Sequence, residues 1–93
     1  MSGIISKRVI EEIRLRSNVV DVVGSYIPLQ RSGSALKTLC PFHKEKTPSF
    51  TVNQERQIFH CFGCGAGGDV FRFVMQYEGV DFAAAARLLA AKA

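Results

Sequence analysis

The chain lacks long apolar runs and is poor in cysteine. No apolar stretch among its 93 residues approaches the ~18 residues that a membrane-spanning helix needs. Its first ten residues, MSGIISKRVI, do not have the pattern of a signal peptide. There are only three cysteines, and an odd number argues against a disulfide framework and fits a reducing compartment. These absences predict a soluble, cytoplasmic protein without a membrane partner.

The chain is also short. Ninety-three residues are enough for one small domain, so residues 1–93 are predicted to form a single unit. A domain of this size buries only about 60–65% of the surface of its unfolded chain. We therefore expect an additional stabilising element, such as a bound metal ion. The alanine-rich end has no stop signal for its helix, which indicates a segment of a longer chain.

Periodicity and capping residues predict an α+β fold, with an antiparallel sheet flanked by N-terminal and C-terminal helices. Four apolar-periodic segments follow residues suited to N-caps: Ser6, Asn18, Asp69 and Asp81. The second helix is predicted to end at Gly24 and the third at Gly79. Strands are expected in residues 26–31, 35–40, 49–53 and 57–61. Because Pro28 cannot donate to a ladder, the first of them should be an edge strand.

The predicted core comes from one face of each element. Alternation places Phe50, Val52 and Phe59 on the sheet face that packs on the helices. The opposite face carries Thr51, Ile58 and His60. The helical residues predicted to face the core are Val9, Ile10, Ile13, Val70, Phe71, Val74, Met75, Phe82, Ala85 and Leu89.

Two Cys/His pairs have the spacing of a zinc site. Cys40 and His43 form C-x2-H, and Cys61 and Cys64 form C-x2-C after 17 intervening residues. Each tight turn lets both of its ends point at one ion, and three thiolates with one imidazole complete a tetrahedron. A site closed in this way has no open position for water. We therefore predict one structural Zn²⁺ and no catalytic residue. His60 is left out because it points to the face opposite its neighbour Cys61.

The stretch CFGCGAGGD, residues 61–69, also fits two other motifs. Gly63, Gly65 and Gly68 match the dinucleotide-binding pattern G-x-G-x-x-G, but that loop requires a parallel strand on each side of the following helix. Here a second helix follows instead. A redox role for the C-x-x-C pair needs a βαβ context and leaves the upstream Cys/His pair unexplained. We interpret Gly63 and Gly65 as turn residues that favour positive φ.

Positive charge is concentrated in the middle of the chain. Residues 31–60 carry a net charge of +3, with five cations: Arg31, Lys37, Lys44, Lys46 and Arg56. This excess suggests a polyanion partner, although a solvated basic surface would have the same composition. Proteins bind single-stranded nucleic acid with cations that contact the phosphates and with aromatic rings that stack on the bases. The polar sheet face with His60, rimmed by these cations, is therefore the candidate nucleic-acid surface. Four phenylalanines are expected in the core more than on that surface: Phe42, Phe50, Phe59 and Phe62.

The segment LCPFHKEKTPSFTVNQERQIFHCFGCGAGGDVFRFV resembles the N-terminal zinc-binding domain of DnaG-type bacterial DNA primases. The resemblance includes the lead-in VVDVVGSYIPLQRSG and the closing helices, and so covers nearly the whole chain. It implies a zinc ribbon with Cys40, His43, Cys61 and Cys64 on the metal.

The same resemblance implies a function at the bacterial replication fork, in the cytoplasmic nucleoid. It implies recognition of single-stranded template DNA where RNA primers start, beside a separate polymerase domain with nucleotidyltransferase activity. A replicative helicase would be a partner of the full-length protein. The polymerase and helicase-binding domains are absent from this segment, which alone should not be catalytic. The alternative is a zinc ribbon that mainly docks onto the polymerase domain or the helicase.

Overall fold

The protein is described by a computed structural model covering residues 6–33 and 35–92. Two helices come first, α1 (Lys7–Arg16) and α2 (Val19–Tyr26). Five strands follow, β1 (Gln30–Ser32), β2 (Ala35–Thr38), β3 (Phe50–Asn53), β4 (Ile58–Cys61) and β5 (Gly67–Gly68). The last elements are α3 (Val70–Glu78) and α4 (Phe82–Lys92). No helix in these described ranges is long and apolar enough to cross a lipid bilayer.

The five strands form one antiparallel sheet in the order β1-β2-β3-β4-β5. The predicted edge position of the first strand is confirmed, and Pro28 lies just before that strand instead of inside it. Strand β5 was not predicted, because two glycines carry no apolar pattern. Gly67 pairs with His60, and a Cβ at Gly67 would lie 3.1 Å from the Phe59 carbonyl oxygen. Glycine thus lets the main chain approach β4 closely.

All four predicted N-caps are confirmed. The side chains of Ser6, Asn18, Asp69 and Asp81 accept hydrogen bonds from backbone N–H groups in the first turns of their helices. The predicted end of α3 is also confirmed, because Gly79 adopts the left-handed conformation with φ of 69°. The predicted end of α2 at Gly24 is wrong. The helix continues to Tyr26, whose ring centroid lies 5.7 Å from that of Phe73 in α3.

The core lies between one face of the sheet and helices α2 and α3, and it continues on the far side of α3 to α4 and to Ile13 of α1. Phe50, Val52 and Phe59 are buried there as predicted. Phe73, which was not predicted to face the core, is fully buried against Phe59 with ring centroids 5.5 Å apart. The expectation for Val9 is wrong, since its side chain is exposed. Phe82 and Met75 were also predicted to face the core. Phe82 is partly exposed while stacking on Phe71, and Met75 is half-buried.

The opposite face of the sheet carries a row of directly paired residues, one from each strand. Its members are Gln30, Lys37, Thr51, His60 and Gly67. Gln30 and His60 are exposed, and the other three are half-buried. We call the side of the sheet that carries this row the open face.

Candidate metal centre

The four predicted ligands meet at one end of the sheet. Cys40 lies shortly after β2, and Cys61 is the last residue of β4, so the turn that follows each strand supplies one pair. The ligand atoms of Cys40, His43, Cys61 and Cys64 all lie within 4.8 Å of one another. The Sγ atoms of Cys40 and Cys64 are 3.8 Å apart, and Cys61 Sγ lies 4.0 Å from His43 Nδ1.

These separations fit a tetrahedral zinc ion. Zn–S bonds of about 2.3 Å and Zn–N bonds of about 2.0–2.1 Å require sulfur atoms about 3.8 Å apart and sulfur–nitrogen separations of about 3.6 Å. The donor set of three thiols and one imidazole is also typical of structural zinc. The arrangement could therefore hold one zinc ion with little movement of the side chains.

Each of the two turns directs one backbone N–H group at its first cysteine. The backbone N–H of Phe42 lies 3.4 Å from Cys40 Sγ, and the N–H of Gly63 lies 3.4 Å from Cys61 Sγ. In each case the donor is two residues after the cysteine. These N–H groups offset part of the negative charge that a thiolate brings into the protein.

The buried thiols have opposite pKa shifts. Burial raises the pKa of Cys40 to about 12. Burial also acts to raise the pKa of Cys61, but the N–H groups of Cys64 and Gly63 outweigh it and lower that pKa. Cys61 therefore ionises more easily than Cys40. A bound zinc ion deprotonates its thiol ligands outright, which would remove the proton from Cys40 as well.

A carboxylate lies behind the imidazole. His43 Nε2 is 3.2 Å from Glu45 Oε1, on the side of the ring away from Nδ1. The Ser49 hydroxyl donates to Oε1 over 2.5 Å, and this hydrogen bond is the main reason that the pKa of Glu45 is lowered. Sequence reasoning did not single out Glu45. Its position two residues after a ligand, in an otherwise basic loop, was the available signal.

Gly63 and Gly65 lie in the second turn, and the structure requires glycine at each of them for a different reason. Gly65 has φ of 82°, as predicted. The same prediction for Gly63 is wrong, since it is not among the residues with positive φ. Instead, a Cβ at Gly63 would lie 2.8 Å from His43 Nε2. The residue is small because the imidazole of the other turn lies against it.

The comparisons with known proteins agree with this geometry. The family model described as CHC2 zinc finger matches residues 5–93. The chain belongs to the CHC2 zinc finger family. The group formed by Cys40, His43, Cys61 and Cys64 could hold the single zinc ion of such a finger.

Named relatives are DNA primases. The chain is 57% identical over 89 residues to the DNA primase of Geobacillus stearothermophilus, covering 96% of this chain and 15% of that protein. It is 54% identical over 91 residues to the DNA primase of Mycobacterium tuberculosis (strain ATCC 25618 / H37Rv), covering 97% of this chain and 14% of that protein. The CHC2 zinc finger thus spans about a seventh of the length of these relatives.

A solved structure has the same fold. The chain superposes on the Aquifex aeolicus primase, solved with its zinc-binding and RNA polymerase domains, with a TM-score of 0.87 and 46% sequence identity. The match covers 90% of this chain and 21% of that one. The predicted resemblance to the zinc-binding domain of DnaG-type primases is therefore confirmed, and so is the predicted α+β zinc ribbon.

The predicted nucleic-acid residues of the CHC2 zinc finger fall into several places. Lys37 and His60 lie on the open face, on either side of Thr51. Two exposed cations lie in the loop with His43, and a third lies in the β3–β4 turn: Lys44, Lys46 and Arg56. Arg31 is not on the open face. It pairs with Leu36, which in turn pairs with the buried Val52, so the strand register places it on the core side of the sheet.

One phenylalanine differs from the prediction. Phe62 was expected in the core, but 75% of its surface is exposed. Its ring lies edge-on to His60, with centroids 4.5 Å apart and an interplanar angle of 73°. Phe62 lies two residues after His60, and its N–H still donates to the Ser49 carbonyl, so alternation places both side chains on the same side of the sheet. The prediction followed the usual burial of phenylalanine instead of this alternation. Phe62 therefore adds an aromatic ring beside the open face.

Proposed function

We propose that the chain is the template-binding domain of a DNA primase, with one structural zinc ion on Cys40, His43, Cys61 and Cys64. In this proposal the open face contacts single-stranded DNA. The observation that carries it is the row of Lys37, Thr51 and His60, with the exposed ring of Phe62 beside it.

The open face offers the two kinds of contact that single strands require. An exposed aromatic ring can stack on a base of any type, and nearby cations follow the phosphates. Phe62, Lys37 and Thr51 line one shallow groove, so a base and its phosphate could be contacted together. His60 supports the Phe62 ring from its edge, which limits the freedom lost when a base stacks.

The remaining cations lie beyond both ends of the β3–β4 hairpin. Lys44 and Lys46 belong to the loop that holds the metal ligands, and Arg56 belongs to the β3–β4 turn at the opposite end. A strand of DNA laid along the hairpin would therefore meet cations before and after the groove. A zinc ion held by the four predicted ligands would fix the loop that carries Lys44 and Lys46.

A salt titration by fluorescence anisotropy with a short labelled oligonucleotide tests this proposal. Contacts to two to four phosphates give a log–log slope of about −1.5 to −3, at about −0.7 per phosphate. Lys37→Ala, Lys46→Ala and Arg56→Ala should each make the slope shallower by about 0.7. Arg31→Ala is the matched control, since Arg31 lies on the other side of the sheet, and it should titrate like the wild type.

Phe62→Ala separates stacking from charge. Loss of one stacked base costs about 1–3 kcal/mol, so we expect weaker binding at every salt concentration with an unchanged slope. The proposal for this face is contradicted if the wild type does not bind at low salt. It is equally contradicted if Phe62→Ala and Lys37→Ala both bind like the wild type.

Zinc content tests the ligand set. His43→Ala should lower the zinc bound per chain, measured by elemental analysis of the purified protein. His60→Ala should leave it at one per chain, because His60 faces away from Cys61. Equal loss in both variants would mean that the ligand has been misassigned.

The role in the whole protein rests on the names of the relatives. We propose that the longer protein is a primase whose polymerase domain, a nucleotidyltransferase, synthesises RNA primers on the template that this domain holds. A replicative helicase is the further partner proposed for the full-length protein. The present segment would not synthesise primers by itself.

Docking onto the polymerase domain is the second candidate function. It is favoured by Leu15, which is 84% exposed at the end of α1, and by Leu39, which is exposed beside the metal ligands. A binding titration between the separately purified polymerase domain and this chain distinguishes the two. Docking predicts that Leu39→Glu weakens this complex while oligonucleotide binding remains unchanged.

A further inference from the structure

Glu45 contacts four groups within the metal-binding loop. Its side chain is only 10% exposed. Oε2 accepts hydrogen bonds from the backbone N–H of Cys40 at 2.8 Å and of Ser49 at 3.0 Å. Oε1 accepts the Ser49 hydroxyl at 2.5 Å and lies 3.2 Å from His43 Nε2. One carboxylate thus touches the main chain of one ligand and the ring of another.

The two oxygens have different tasks. Oε2 ties Cys40 to Ser49, which closes the loop at both ends. Oε1 faces the ring nitrogen that points away from the other ligands. A neutral imidazole carries a proton on one nitrogen and a lone pair on the other. A carboxylate beside Nε2 favours the proton on that atom, and this leaves the lone pair of Nδ1 directed at the cysteines.

We infer that Glu45 is a positioning residue for the metal, which selects the Nε2–H tautomer of His43 and holds its ring in the orientation for ligation through Nδ1. The inference rests on the zinc site proposed above. A carboxylate behind a metal-bound histidine has this effect in other proteins, where it also makes the histidine a stronger ligand.

The second turn holds this pair of side chains in place. A Cβ at Gly63 would lie 2.8 Å from His43 Nε2 and 3.2 Å from Glu45 Oε1. The contact between imidazole and carboxylate is therefore closed from outside by the main chain of the other ligand pair. Any side chain at position 63 would have to push the ring and the carboxylate apart.

Glu45→Gln in the full 93-residue chain is the main test. Glutamine keeps one oxygen, which can still accept from Cys40 and Ser49, and places an NH₂ group opposite His43 Nε2. We expect about 10–100-fold weaker Zn²⁺ binding in competition with a colorimetric chelator. Glu12→Gln, an exposed exchange of the same chemistry on α1, should bind Zn²⁺ like the wild type.

A spectroscopic measurement separates positioning from general support of the loop. Long-range ¹H–¹⁵N NMR of the zinc-loaded chain reports which nitrogen of His43 carries the proton. The wild type should show a protonated Nε2, and this signal should shift or exchange faster in Glu45→Gln. Gly63→Ala, which disturbs the same contact from the other turn, should produce the same change if Glu45→Gln does not fold.

The outcomes are distinct. Normal zinc affinity and an unchanged His43 signal in Glu45→Gln overturn the inference and leave the zinc site standing. Protonation of Nδ1 instead of Nε2 in the wild type overturns it as well. If the wild-type chain does not bind Zn²⁺, the proposed metal site itself fails, and the positioning role fails with it.

Discussion

Arg14 and Asp69, 55 positions apart in the chain, join α1 to the start of α3. Arg14 Nη1 donates to Asp69 Oδ2 at 2.5 Å, while Asp69 Oδ1 accepts from the backbone N–H of Arg72 at 3.0 Å. The hydrogen bond to Asp69 is the main reason that the pKa of Arg14 is raised. The guanidinium also lies 4.9 Å from the centroid of Phe71. The Asp69 carboxylate therefore caps α3 and also holds α1 against it.

Two substitutions at Asp69 separate these roles. Asp69→Asn keeps an oxygen for the cap but loses the ion pair with Arg14. Because the two side chains of this pair are 40% and 38% exposed, we expect the free energy of unfolding to fall by less than about 1 kcal/mol. Asp69→Ala also removes the cap and should cost about 1 kcal/mol more. Urea unfolding of the zinc-loaded protein measures both. Equal destabilisation by the two variants would show that the cap contributes nothing.

Gln57 combines a left-handed backbone with two side-chain hydrogen bonds. Its φ is 58°, its Oε1 accepts from Val19 N at 2.8 Å, and its Nε2 donates to Gln54 O at 2.7 Å. Gln57→Ala should lower the free energy of unfolding by about 0.5–1.5 kcal/mol for each hydrogen bond that it removes. Gln57→Gly loses the same bonds but relieves the backbone, so its free energy of unfolding should be higher than that of Gln57→Ala. The reverse order in urea unfolding would contradict this.

Local chemistry explains what could be predicted from the sequence. A cap needs only a polar side chain before an apolar-periodic segment, so all four N-caps were found. The cluster of Cys40, His43, Cys61 and Cys64 was predicted because two-residue spacings are set by the turn itself. The β3–β4 pairing followed from strict alternation around a polar turn, with Phe50 and Phe59 on one side and His60 on the other.

Features that depend on distant contacts were missed. Strand β5 has no side chains, and its pairing is visible only once β4 lies beside it. Helix α2 passes Gly24 because Tyr26 packs on Phe73, a residue far along the chain. Glu45 looked like an ordinary charge until the fold brought the His43 ring onto it. In each case the deciding neighbour cannot be identified from local sequence.

The protonation of the Tyr26 hydroxyl makes the stability of the fold depend on pH in the alkaline range. Burial, helped by the 2.8 Å hydrogen bond that its hydroxyl donates to Glu78, raises the pKa of Tyr26 from its usual 10.0 to about 12. Above about pH 10 the unfolded chain releases this proton and the folded chain keeps it, so stability falls as pH rises. The contribution is complete below pH 10 and is lost between about pH 10 and 12.

Tyr26→Phe should remove this dependence. We expect the difference in unfolding free energy between the wild type and the variant to shrink from about pH 9 to about pH 11, measured by urea unfolding. Other groups titrate in this range in both proteins, and their effects cancel in the difference. A constant or growing difference would mean that the tyrosine hydroxyl is not stabilised in its neutral form.

Removal of zinc should unfold the ribbon. Structural zinc in small domains contributes about 10–16 kcal/mol apparent, compared with about 5–15 kcal/mol for the stability of a typical domain. Chelation should therefore abolish the cooperative melting transition, while circular dichroism retains some helical signal from α3 and α4. A chelated protein with an unchanged melting curve would contradict a structural metal.

The two outermost strands of the sheet are its shortest, three residues in β1 and two in β5. An exposed edge is where a foreign strand adds to a sheet, whether in a peptide complex or in an aggregate. Here each edge offers too few main-chain groups to hold one. We therefore expect the sheet to resist edge-to-edge self-association, and a partner that approaches it has to recognise side chains.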